Sequence, residues 1–96
     1  MSSSLDYLEY VLDLLSETED ITYKKMMGEY LLYQNGILFG GIYDNRFLVK
    51  KTASSSKYDY IEELPYEGSK KMYLVDSESK EQIKELVLGI VKDLRK

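Results

Sequence analysis

Residues 23–50 read YKKMMGEYLLYQNGILFGGIYDNRFLVK, and the punctuation of this stretch predicts three consecutive strands joined by two tight turns. The strongest signal is Asn35-Gly36. A two-residue hairpin turn needs positive φ at both central positions, and Asn followed by Gly reaches that geometry with least strain. The turn fixes a register in which Gln34 faces Ile37, Tyr33 faces Leu38, Leu32 faces Phe39 and Leu31 faces Gly40. Asp44-Asn45 supplies a second, weaker turn that sets Tyr43 opposite Arg46, Ile42 opposite Phe47 and Gly40 opposite Val49.

Following both registers with the two-residue period of a strand, one sheet face collects Leu31, Tyr33, Leu38, Gly40, Ile42, Phe47 and Val49. It carries no charge and is the expected core. The other face collects Tyr30, Leu32, Ile37, Phe39, Gly41, Tyr43, Arg46, Leu48 and Lys50. Large aromatics beside two cations are typical of interaction surfaces, so Tyr30, Ile37, Phe39, Tyr43, Arg46 and Lys50 are the candidate interaction residues. The competing reading is that residues 52–70 fold back over them and make them ordinary packing. On the interface reading, Phe39→Ala costs little stability and weakens association.

Gly40-Gly41 lies within the central strand, where glycine costs roughly 0.5 to 1 kcal/mol relative to alanine and packs nothing. Something is expected to come close there: a helix or a bulge on one reading, a ligand or partner backbone on the other. Gly28 is likewise open between a bulge and a turn. A bulge makes residues 22–34 one long bent strand, and a turn gives the sheet an additional one.

Helices frame this stretch. In the first, Ser3 or Ser4 is the cap, and Leu5, Leu8, Val11, Leu12 and Leu15 recur at helical spacing. In the last, Ser79 with Gln82 forms a capping box ahead of Ile83, Leu86, Val87, Ile90, Val91 and Leu94. Between them, residues 52–59 predict a short, mobile helix, 60–64 a brief extension, Pro65-Tyr66-Glu67-Gly68 a turn, and 71–75 a strand. Two amphipathic helices on one sheet face make a two-layer α+β domain. The 96 residues are read as a single domain, 1–96.

Composition limits the chemistry. The chain has no cysteine and no histidine, so disulfides, thiolate metal sites, imidazole acid–base catalysis and the usual nucleophilic triads have no residues to use. Gly40-Gly41 leads into no helix and is not a phosphate loop. The expectation is a protein that is not an enzyme and needs no cofactor or metal. No apolar run is long enough for a bilayer, and the serine-rich start followed by an acidic helix is unlike a secretory signal, so no membrane association and a cytoplasmic location are expected.

The net charge of −4 is unevenly spread. Residues 1–23 hold six acids and no base, whereas residues 24–57 hold six bases and two acids. The hairpin region is locally basic, but its footprint is weaker than that of ordinary DNA-binding domains, and direct DNA binding is not expected.

The run KKMMGEYLLYQNGILFGGIYDNRFLVKKT, followed by ELPYEGSKKMYLV, resembles the N-terminal domain of the TfoX/Sxy family, bacterial regulators of competence genes. Its most specific parts are Lys25-Met26-Met27-Gly28, Asn35-Gly36 leading into Leu38-Phe39-Gly40, and Leu48-Val49-Lys50. The resemblance implies an antiparallel sheet with flanking N- and C-terminal helices in the order α-β-β-β-α-β-β-α. The family's longer members carry a helical C-terminal domain that has no counterpart here. What is expected is a stand-alone domain regulating gene expression through a protein partner, a transcription factor or a second copy in a homodimer. The alternatives are an interaction or ligand-binding module of unrelated role and a weak nucleic-acid-binding platform.

Overall fold

In the computed structural model, which describes residues 3–95, three two-residue turns have both residues at positive φ: Met27-Gly28, Asn35-Gly36 and Asp44-Asn45. They crease the chain into an antiparallel meander. Its strands are β1 (Ile21–Met26), β2 (Glu29–Gln34), β3 (Ile37–Ile42) and β4 (Phe47–Val49). Two short strands follow, β5 (Ile61–Glu63) and β6 (Met72–Leu74), and the six pair throughout antiparallel in the order β1-β2-β3-β4-β6-β5. Gly28 is therefore a turn, with Met26 opposite Glu29, and the sheet gains the additional strand. The helix anticipated after β4 is only a 3-10 turn at Ser55–Lys57.

Helices α1 (Leu5–Leu14) and α2 (Lys80–Leu94) flank the sheet in sequence and pack on the same face. Ser4 caps α1 by accepting from the Tyr7 N–H at 3.1 Å, and Ser79 caps α2 by accepting from the Gln82 N–H at 3.1 Å. Leu8, Val11 and Leu14 of α1 meet Ile83, Leu86, Val87, Ile90 and Val91 of α2 in one core with the inward side chains of the strands. The class is α+β, in two layers.

One residue changes which side chains reach that core. Gln34 opposes Ile37 and Tyr33 opposes Leu38, as the Asn35-Gly36 turn dictates, but Leu32 then opposes Gly40. Phe39 is the extra residue of a bulge. A bulge puts two consecutive residues on one side of the strand, and here these are Phe39, fully buried under the helices, and Gly40. The second hairpin keeps the expected phase, with Ile42, Phe47 and Val49 in the core. The first is inverted relative to the uninterrupted register. Tyr30, Leu32 and Phe39 go to the core, and Leu31, Tyr33 and Leu38 turn to the face opposite the helices.

The serine-rich segment after β4 is fastened rather than loose. The buried Ser55 hydroxyl donates to the Lys50 carbonyl at 2.8 Å and accepts from the Thr52 N–H at 2.7 Å. Glu85, Gly89 and Asp93 form one stripe of α2, since residues four apart share a helix face. Glu85 accepts from the Tyr58 hydroxyl at 2.9 Å, and Asp93 accepts from the Ser54 N–H at 2.9 Å. Burial, and then the bond to Glu85, push the Tyr58 hydroxyl up to about 12. Gly89 permits the approach, because a Cβ there would lie 2.8 Å from that of Ser54.

Candidate functional site

The helices leave the other face of the sheet uncovered, and the bulge determines its composition. Leu31, Tyr33, Leu38 and Tyr43 line its middle, Met26 stands at the β1 edge, and Arg46 and Lys50 flank β4. Of the candidates named from sequence, Tyr43, Arg46 and Lys50 are on this face. Tyr30 and Phe39 are corrected to the core, and Ile37 packs against that core from the helix side. The reason is the bulge, which an uninterrupted period of two does not contain.

Residues 64–71, between β5 and β6, cross this face as a strap. Arg46 anchors it. Its guanidinium donates to Glu63 Oε1 at 2.6 Å, to the Leu64 carbonyl at 3.0 Å and to the Pro65 carbonyl at 3.3 Å, while its Nε donates to the Tyr43 carbonyl at 3.1 Å. Arg46 is thus committed within the fold. Pro65 is buried, and the Tyr66 ring leans over Tyr43, with centroids 6.3 Å apart and planes tilted by 52°. The fold-back anticipated for residues 52–70 is accordingly divided: residues 52–58 dock on α2, and only the strap lies on the outer face.

Tyr43 also explains one of the paired glycines. A Cβ at Gly41 would lie 2.8 Å from the Tyr43 ring and 2.7 Å from the Tyr30 carbonyl oxygen, so the ring lies over bare backbone. Burial raises the Tyr43 hydroxyl pKa, and Tyr66, Glu29 and Tyr33 nearby add to the shift. At Gly40 the close neighbour is the backbone of β4. Both glycines are therefore explained by contacts within the chain.

Two concavities adjoin across Leu38, Tyr43 and Tyr66. One is a cleft of about 740 Å³ between β4 and the strap, with Lys50, Lys51, Lys70 and Lys71 in its lining and no carboxylate among the described residues that line it. The other is an apolar groove of about 640 Å³ toward the β1–β2 turn, lined by Met26, Met27, Leu31 and one acid, Glu29. Among the described residues, ion pairs within 4 Å join Arg46 to Glu63, Lys51 to Glu62 and Lys80 to Asp13. Lys50, Lys70 and Lys71 take part in none of them. The Lys51–Glu62 hydrogen bond raises the lysine pKa and lowers that of the glutamate. The acids of α1 lie on the helix side of the sheet, away from this cleft.

Sequence reasoning missed Leu31 and Leu38, whose alternation was intact but read in the wrong phase. It also missed Tyr66, Lys70 and Lys71. Their signal was the turn PYEG followed by SKK, but nothing local says that this loop crosses the sheet.

Arg46→Ala is expected to lower stability by about 1 to 2 kcal/mol, because the hydrogen bonds of a half-buried guanidinium are lost together. Amide exchange should then quicken through residues 64–71 while the core amides of β2 and β3 keep their protection. Unchanged exchange in the strap would show that Arg46 does not hold it.

Together these features define a class: a two-layer α+β domain with helices on one side and an aromatic, apolar and lysine-lined groove on the other. Compared with known proteins, the chain matches no family model and no curated protein. Among the described residues, no helix is long and apolar enough to cross a membrane.

Proposed function

We propose that the chain is a non-enzymatic, cytoplasmic TfoX/Sxy-like domain. It regulates gene expression, with competence genes as the case the resemblance suggests, by holding a protein partner against the outer face of its sheet. The partner we favour is a transcription factor. The observation that carries the reading is that one whole sheet face lacks a helical layer. Its apolar and aromatic side chains, Leu31, Leu38, Tyr43 and Tyr66, run up to Lys50, Lys70 and Lys71, which have no ion-pair partner within 4 Å among the described residues. Interfaces join an apolar, aromatic centre to a polar rim in this way.

The test is photo-crosslinking in cells. A benzophenone amino acid replaces Tyr66, which is 63% exposed on the strap, or Tyr10, which is 43% exposed on α1. Adducts to a transcription factor at position 66 and not at position 10 are expected, together with altered transcripts when the protein is removed. Adducts only from position 10, or adducts at position 66 to a second copy alone, would overturn this assignment of the face.

A further inference from the structure

Resting on the docking face just proposed, the geometry points to the chemistry of its occupant: we infer that the groove takes an extended protein segment with an apolar anchor followed by carboxylates. The lysine-lined cleft and the apolar groove are not separate sites, because Leu38, Tyr43 and Tyr66 form part of both walls. Each has the volume that holds a drug-sized group or a few side chains. An occupant lying across both therefore meets methionine and leucine at one end and ammonium groups at the other.

The basic end is complementary to negative charge, which in a protein segment means carboxylates. Among the described residues, Lys50, Lys70 and Lys71 converge there with no ion-pair partner within 4 Å and no acid in the lining. A partner carboxylate would meet ammonium groups engaged by no close ion pair, Glu62 acting on Lys71 only at longer range. The one arginine on this face, Arg46, is already bound to the strap, so the cleft offers an anion the point charges of lysine ammoniums. A polyanion as long as a nucleic acid would also extend past the cleft toward Glu29 in the apolar groove, on a protein whose net charge is −4.

The apolar end is marked independently. Met27 stands at positive φ in the β1–β2 turn, and it is 96% exposed. A long side chain is strained in that conformation, where asparagine or glycine is at ease. Full exposure means that the methionine contributes nothing to the core in return. Flexible, polarisable methionines suit surfaces that receive apolar side chains, and Met26 beside it lines the same groove.

The experiment measures fluorescence anisotropy of a fluorescein-labelled synthetic peptide in which leucine and phenylalanine precede a run of glutamates. The controls are the glutamate run alone and labelled oligothymidylate. The mixed peptide should bind more tightly than either, less well in high salt, and about tenfold more weakly to Lys70→Glu/Lys71→Glu. Both lysines are exposed, so the variant should fold, as circular dichroism would check. Met27→Asn should weaken the mixed peptide and leave the glutamate run unaffected.

No binding of the mixed peptide, or binding unchanged by the charge reversals, would overturn the inference. Tighter binding of oligothymidylate would replace it with a nucleic-acid platform, and self-association abolished by the reversals would replace it with a second copy. If crosslinks from position 66 still capture a transcription factor when the peptide fails, the docking face stands and only the acidic chemistry falls. If both fail, both readings fall.

Discussion

Phe39→Ala is expected to remove about 3 to 5 kcal/mol of folding stability, the usual cost of truncating a fully buried phenylalanine. Domains of this kind have only about 5 to 15 kcal/mol in total, so the variant should unfold at a much lower urea concentration with a similar slope. The argument rests on the bulge. Without it Phe39 would lie opposite Leu32 on the face the helices leave open. With it the ring is fully buried in the core that α1 and α2 share. Tyr66→Ala makes the contrast, since an exposed ring in one tilted aromatic contact should contribute about 1 kcal/mol. A Phe39→Ala cost as small as that of Tyr66→Ala would put the ring back on the outer face and the bulge with it out of the structure.

Turn chemistry and helix patterning were the legible parts of this fold. Asn35-Gly36 and Asp44-Asn45 sit where their residue types demand, and Ser4 and Ser79 cap the helices they precede. Met27-Gly28 was less legible because methionine is a poor residue for positive φ, so only the glycine signalled a change of direction. The bulge was half legible: the paired glycines allowed one, but its effect on the register could not be read. Glycine within a strand indicates that something is unusual, but the alternation on either side of Phe39-Gly40 is equally regular in two phases. Which phase wins is decided by the packing of two helices tens of residues away in sequence.

The candidate site inherits that ambiguity. Tyr43, Arg46 and Lys50 were found because the second hairpin lies beyond the bulge and keeps its phase with β4. Tyr30 and Phe39 were misassigned because they belong to the first. The role of Arg46 was hidden differently. Its partners, Glu63, Leu64 and Pro65, are 17 to 19 residues distant along the chain, and no local pattern announces contacts of that range.

Gly40→Ala is the companion change, and it is expected to cost about 3 kcal/mol, the upper part of the usual range for adding one methyl to a filled site. A Cβ at Gly40 would run into the Leu48 carbonyl oxygen and lie 3.0 Å from Val49 Cα. Both obstacles are backbone, so no rotamer change relieves them. Strand β4 cannot easily retreat either, because it is only three residues long and is paired to β3 on one side and β6 on the other. Gly36→Ala separates crowding from conformation: nothing lies within 4 Å of its new Cβ, but its φ is +80°, so it should lose only about 1 to 2 kcal/mol to left-handed strain. A smaller loss at Gly40 than at Gly36 would disprove the tight approach of β3 and β4. Gly40 also lies in the lining of the lysine cleft. Pushing β4 outward there moves Lys50 away from Lys70 and Lys71, so Gly40→Ala protein that remains folded in the cold should also bind the acidic peptide less tightly, whereas Gly36→Ala should bind it normally.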